Sequence, residues 1–459
     1  MKSLLTILTL TATLTVAAQD LSEYDLNKPF GFCTVSSRTD ASSTYDITGG
    51  GCYTYPIPDG FTGTVKVLKS NGQDMKGTIQ NAIKQNDVVI LDGADGDFIV
   101  SQSIGFERGN KTIIGINNAR LCTQWYITDE IKELLDNATD DRTPGKVGVR
   151  NMSTNAKDNL GGTVAGQTIK EQAEYNVRKI LYDKYKNENY RKSGIFSLNR
   201  ENVIIRNITF VGPGSIDASG NDLISATGAR HCWIDHCTFQ DGMDGNFDIT
   251  EASNYITVSW CTFKYTARSY MHQNTNLVGS SDDKTSDEGL LNTTFSFNWW
   301  GSGCNQRMPM ARYGKIHMLN NYFSSTTASN CINPRKNSEF LIEGNYIDNS
   351  VPKYYSQSDA KSVTWANNNY TKGQSKPANV GSTVTVPYNY TVASYSDVPT
   401  EVQNHAGATL NYSDNPSGIT LPTTAVRHES SAIYNLAGQK VDASYKGVVI
   451  KNGKKFVIK

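Results

Sequence analysis

Two arginines five residues apart open the stretch Arg307-Met308-Pro309-Met310-Ala311-Arg312, just ahead of a short apolar strand, Lys315-Ile316-His317-Met318. Held in place, guanidinium groups suit a ligand that carries carboxylates, because their planar fork matches the two carboxylate oxygens. A second set of residues is acidic: Asp222, Asp235, and the run Asp241-Gly242-Met243-Asp244-Gly245-Asn246-Phe247-Asp248. Asp244 and Asp248 are four apart, so on a strand both carboxylates share one face. Asp222 lies 22 residues before Asp244. Three carboxylates gathered on an exposed face repel one another unless a cation joins them. An oxygen-only set without His or Cys suits calcium. Asp241, taken alone, reads as a solvated acidic turn.

The whole-chain composition narrows the setting. The 459 residues allow one large domain or two smaller ones, and 44 Lys+Arg balance 44 Asp+Glu. No basic excess points to nucleic acid or to an anionic membrane, so a charged ligand must be met by a local cluster. Residues 1–18 read as a signal peptide. Lys2 precedes an apolar run over 4–16, and small residues at 17 and 18 offer a cleavage point before Gln19. That run is too short for a lasting membrane span, and no later stretch is apolar enough. The eight cysteines (33, 52, 122, 232, 237, 261, 304, 331) form an even set compatible with disulfides in an exported chain. They lack CxxC zinc spacing. Nearness in sequence nominates Cys33–Cys52 and Cys304–Cys331 as bridges.

The elements that would position the arginines and aspartates repeat. Asn207-Ile208, Cys237-Thr238, Cys261-Thr262, Asn298-Trp299, Asn321-Tyr322, Asn345-Tyr346 and Asn368-Asn369 follow one another at intervals of 30, 24, 37, 23, 24 and 23 residues. Most follow a β-branched or aromatic strand such as Val203-Ile204-Ile205 or Phe340-Leu341-Ile342. A period in the low twenties predicts an all-β solenoid, a parallel β-helix over residues 19–412, rather than an antiparallel sandwich with Asn at its turns. Strands of successive turns stack about 4.8 Å apart, so Asn side chains at one bend can bond to those above and below. The longer intervals would carry loops. Cys237 and Cys261, one turn apart in the Asn position, fit either a bridge or two buried thiols.

Residues 122–193 break the period. Thr168-Ile169-Lys170-Glu171 is a capping box, and Ile169, Ala173, Val177 and Ile180 share a helix face, so a helical and loop insertion is expected there. Residues 413–425 read as a linker. Residues 426–459 read as a small β module whose hairpin turns at Asn452-Gly453. This tail resembles C-terminal modules of exported Bacteroidetes proteins, some of which are sorting signals.

Several motifs occur together and in order: Trp233-Ile234-Asp235-His236, the run 244–250, Ser253-Asn254-Tyr255-Ile256-Thr257-Val258-Ser259-Trp260, Leu277-Val278-Gly279-Ser280-Ser281-Asp282, and the segment 307–323. With Gly31-Phe32, Thr48-Gly49-Gly50-Gly51 and Lys111-Thr112-Ile113-Ile114-Gly115, they resemble the pectate lyases of polysaccharide lyase family 1 over about residues 29–412. The resemblance implies a right-handed parallel β-helix that cleaves α-1,4-galacturonan (homogalacturonan, pectate) by calcium-assisted β-elimination to 4,5-unsaturated products. It makes Asp222, Asp244 and Asp248 the Ca2+ ligands, Arg307 the base at C5, and Arg312 a binder of substrate carboxylate. His236 reads as a hydrogen-bonded structural histidine. The family's usual substrate-binding lysine is missing at its place. Counting puts Arg268 there, with Lys264 as the other choice. The expected partner is polygalacturonate, met outside the cell by a monomer with no membrane span and no nucleic acid. A pectin lyase on methyl-esterified polymer, a galacturonan hydrolase and a non-catalytic carbohydrate-binding solenoid are the competing readings. A guanidinium base predicts an alkaline optimum, since Arg normally stays protonated.

Overall fold

The computed structural model describes residues 28–140, 143–146, 148–149, 163–164, 167–168, 172–185, 192–216, 220–411, 433–435, 440–441, 446–451 and 454–458. The chain divides into two units, residues 1–409 and 410–459. Residues 1–18 and 413–425, read from sequence as leader and linker, lie outside the described residues.

The first unit is a parallel β-helix. Its described strands form three parallel sheets of ten, nine and seven strands, with successive turns of the chain as neighbours in each. The interior explains why the chain coils. Phe210, Phe239, Phe263, Trp300 and Phe323 occupy equivalent positions on successive turns and stack nearly flat, with centroids 5.1, 5.0, 5.4 and 4.8 Å apart. That spacing is close to the strand repeat itself, so one ring per turn fills the core continuously.

The bend ladder forms as expected, with two corrections of register. Asn298 Nδ2 donates to Asn321 Oδ1 (3.1 Å), Asn321 Nδ2 to Asn345 Oδ1 (2.9 Å), and Asn345 Nδ2 to Asn369 Oδ1 (3.0 Å). The last rung is therefore Asn369 rather than Asn368, as the pairing of Tyr346 with Tyr370 requires. Asn207 also stands one place off. Arg206 pairs with Asp235 and Thr209 with Thr238, so Asn207 matches His236 and not Cys237. The residue before most bend positions is left-handed: His236, Trp260, Phe297 and Asn320 have φ of 47°, 52°, 53° and 55°. Bulky residues seldom adopt that conformation. Here Trp260 and Phe297 stack at 4.2 Å against each other, which helps hold it.

All eight cysteines are free and buried, so neither Cys33–Cys52 nor Cys304–Cys331 is a bridge. Cys237 and Cys261 are buried thiols that fill the small bend sites and point at backbone carbonyls. Asp241 is likewise not a solvated turn. It is fully buried and accepts from Thr266 N and Oγ1 (2.7 Å each) and Ser269 Oγ (2.9 Å), tying down the loop that follows. His236 is buried, with Nδ1 2.7 Å from Asp235 Oδ2.

The insertion contains α1 (Asp129–Asp136), capped by Thr128, and α2 (Gln172–Tyr185). Residues 169–171 of the capping box lie outside the described residues. Ile131, Leu135, Val177 and Leu181 pack with Met243 and Tyr270 of the coil. No described helix is long and apolar enough to cross a membrane. In the second unit, Lys440–Val441, Ile433–Asn435, Gly447–Lys451 and Lys454–Ile458 form an antiparallel sheet in that order. The hairpin expected there is present, with its turn residues outside the described ones.

Candidate active site

The seven-stranded sheet carries the residues singled out for chemistry. Four of its strands are β1 (Ile224–Thr227), β2 (Phe247–Thr250), β3 (Leu277–Val278) and β4 (Met310–Ala311), adjacent in that order. Ser225 pairs with Asp248, and Leu223 N donates to the Gly245 carbonyl, so Asp222 is set beside the 244–248 run. Asp222 and Asp248 are 5% and 7% exposed, whereas Asp244 is half-buried. Asp222 Oδ2 accepts from Ser225 Oγ (3.0 Å), while its Oδ1 is buried without a partner. Asp248 Oδ1 accepts from Leu277 N (2.9 Å).

These carboxylates are electrostatically uncomfortable. Burial, then the charges of Asp248 and Asp244, raises the pKa of Asp222 well above the usual carboxylate range. Burial, then Asp244, pushes Asp248 up to about 7, with the Arg307 guanidinium opposing the rise. Asp244 Oδ1 meets His272 Nε2 at 2.7 Å, and Asn274 Nδ2 lies 2.8 Å from the same nitrogen. Among the described residues no three His, Cys, Asp or Glu side chains already stand close enough to chelate an ion. Two observations nonetheless suit an oxygen-seeking dication. One is the orphaned Asp222 Oδ1. The other is Gly245, where an added Cβ would come within 2.6 Å of Asp222 Oδ1 and 3.1 Å of Asp248 Oδ1. A cation there would cancel the repulsion that raises both groups.

Arg307 precedes β4 in a left-handed conformation, φ 59°, a strain often found at working residues. Its carbonyl accepts from Asn276 N, and no hydrogen bond or ion pair holds its half-exposed guanidinium among the described residues. It faces a groove of about 570 Å³ lined also by Met271, His272, Gln273, Asn305 and Gln306.

Arg312 follows β4 on the same sheet. Its Nε pairs with Asp282, and its Nη1 donates to the Gly279 carbonyl (2.9 Å). Asp282 also bonds Arg335 (3.2 Å), whose backbone N–H reaches Ala311 O, so Arg312 and Arg335 are neighbours across the sheet. Arg268 is held elsewhere. Its Nη1 donates to Gly212 O (3.0 Å) and its guanidinium lies 5.2 Å from the Tyr126 ring centre. The structure thus gathers Asp222, Asp244, Asp248 and Arg307, places Arg312 past the far end of β4, and leaves Arg268 with contacts outside this group. The residue missed from sequence is His272. It sits in an irregular loop without periodicity, and only its place in the segment read for the missing lysine could have drawn notice.

A family model described as pectate lyase matches residues 146–411. Pectate lyase A of Aspergillus niger is 34% identical over 227 residues, 48% of this chain and 66% of that protein. A pectate trisaccharide-lyase of Thermotoga maritima is 41% identical over 138 residues, 28% of this chain and 36% of that protein. The matched stretch thus spans less than two thirds of the length of either relative. Among solved structures, a pectate lyase from Bacillus sp. N165 in complex with trigalacturonate aligns at TM-score 0.48 and 20% identity, over 84% of this chain and 100% of that one. Residues 146–411 make up more than half of the 459 and include every aspartate and arginine discussed above, so the chain belongs to the pectate lyase family.

Proposed function

We propose that the chain cleaves α-1,4-linked galacturonan by β-elimination at the Asp222–Arg307 site. The observation that supports this most is an unpaired guanidinium, Arg307, beside two buried carboxylates whose pKa values are raised by burial and by neighbouring carboxylate charge. Asp222, Asp244 and Asp248 would hold calcium, whose charge, when bound, offsets the negative charge that builds on a uronate carboxylate as C5 loses its proton. Asp244 would then exchange His272 for the ion. Arg307 takes the C5 proton, the C5–H electron pair forms the C4–C5 double bond, and the glycosidic oxygen leaves C4 and gains a proton. A guanidinium acts as base only after giving up its own proton, so the rate should rise into the alkaline range. Arg312 and Arg335 bind further carboxylates along the chain, with Asp282 fixing both guanidinium groups. Export, carried by residues 1–18, belongs to the same reading, as does action as a monomer.

The test is ultraviolet absorbance of unsaturated oligomers released from polygalacturonate. We expect product with calcium and none with a chelator, and an Arg307→Ala rate lower by about 10²–10⁴-fold with polymer binding retained. Product that persists in chelator would favour a calcium-independent pectin lyase. Unchanged turnover in the Arg307 variant would remove that residue as base.

A further inference from the structure

The insertion sets an exposed aromatic ring beside a cation of the coil. Arg268 lies in the loop that runs from the strand Thr262–Lys264 to His272. Its stem passes over Gly214, φ 103°, where an added Cβ would come within 2.9 Å of Arg268 Cγ and 3.0 Å of Ile127 Cδ1. A glycine there lets the coil and the insertion close on that stem. Further out, Nη1 donates to Gly212 O (3.0 Å), and the guanidinium sits 5.2 Å from the centre of the Tyr126 ring. The loop backbone is held from both sides. Asp241 takes Thr266 and Ser269, and Lys132 of α1 bonds the Ala267 carbonyl.

This fixed group faces outward. Arg268 has no ion pair among the described residues, and Tyr126 is 54% exposed. Asp129 pairs with Lys132 (3.4 Å) only from a fully exposed position, where such a pair is worth little. The N–H groups of Arg268 that Gly212 does not take suit a carboxylate. The tyrosine ring offers flat apolar surface to the C–H face of a pyranose. One galacturonate residue meets both demands. None of the three residues lines the groove beside Arg307. Arg268 is four residues from His272, a span of at most about 14 Å, so a polymer lying in the cleft can extend to it.

We propose that Tyr126, Arg268 and Lys132 form a second galacturonate-binding site, outside the cleft, that grips the polymer through a uronate carboxylate. The choice of ligand rests on the elimination reading above. Calorimetric titration of the full chain with de-esterified galacturonate oligomers, in chelator so that calcium neither cross-links the ligand nor fills the cleft, reads this site. The expected result is binding that weakens as salt rises, with a Kd about tenfold higher in Arg268→Gln and in Tyr126→Ala. Tyr126→Phe should bind as the wild type does, and fully methyl-esterified oligomers should bind the wild type about tenfold more weakly. Tyr126 is exposed, so its truncation should leave Tm nearly unchanged and report on the site even if Arg268→Gln loosens the loop. No binding in chelator, a Kd equal in wild type and Tyr126→Ala, or equal affinity for esterified oligomers would each overturn the proposal. Failure of the elimination reading shows separately, as a wild type that with calcium releases no unsaturated product whatever its Kd.

Discussion

Asp222 and Asp248 hold their protons more tightly in the fold than an unfolded chain would, because burial and the charge of neighbouring carboxylates, Asp244 beside both, penalise ionisation. Between the ordinary carboxylate value of 3.8 and about 7, the native state therefore binds more protons than the unfolded one. Stability without metal should fall as pH rises through that window, since the slope follows the unfolded minus native proton count. Thermal melts of the metal-free protein across this range check it; a Tm that rises toward neutrality from these groups would contradict the assignment. Calcium should raise Tm most above pH 7, where it competes with no proton. Gly245 offers a sharper probe. Its missing side chain leaves open the space between the Asp222 and Asp248 oxygens, so Gly245→Ala should weaken calcium binding by about tenfold with the fold intact, as calorimetric titration would read. The carboxylates and arginines were legible in the sequence because acid residues at strand spacing and paired arginines have few other uses. His272 was not, since a loop histidine carries no spacing signal until the fold brings it to Asp244.

At the scale of elements, the Asn bends were readable because every rung meets the same need: a side-chain oxygen for backbone N–H groups that the bend leaves unpaired. Asn321 Oδ1 accepts both Asn298 N (2.9 Å) and Asn298 Nδ2 (3.1 Å), and its own Nδ2 serves Phe295 O (2.9 Å). Asn321→Ala would orphan several fully buried groups, at a cost of about 2–4 kcal/mol. Asn369→Ala, at the end of the ladder and half-buried, should cost less. Denaturant unfolding of both variants checks the order, and equal losses would mean the ladder does not act rung by rung. The first turns, Val65–Lys69, Val88–Asp92 and Lys111–Ile116, escaped the periodicity. They bend without the Asn ladder and reveal themselves only as β-branched runs. The one-residue slip at Asn207, itself left-handed with φ 58°, has a physical source as well. Asn serves both the left-handed position and the bend position beside it, so its letter alone does not say which.

At the scale of the molecule, the first compact unit ends at residue 409. The helix Val398–His405 buries Val398 and Val402 against Trp260 and Phe297. Beyond it, Gly407 N donates to Trp260 O (2.7 Å) and Ala408 N to Thr238 Oγ1 (3.1 Å). The end of this unit is therefore part of the solenoid's packing, whereas the four-stranded antiparallel sheet after residue 432 pairs within itself. A chain cut after residue 411 should keep its melting temperature and its product release from galacturonan. A cut after residue 395 uncovers two aliphatic side chains, each worth about 1.5–3 kcal/mol, and the Trp260 face. It should lower Tm by about 5 °C or more. Calorimetry on the two truncations against the full chain separates the cases. If the first cut destabilised as much as the second, the tail module would have to be counted as part of the lyase fold.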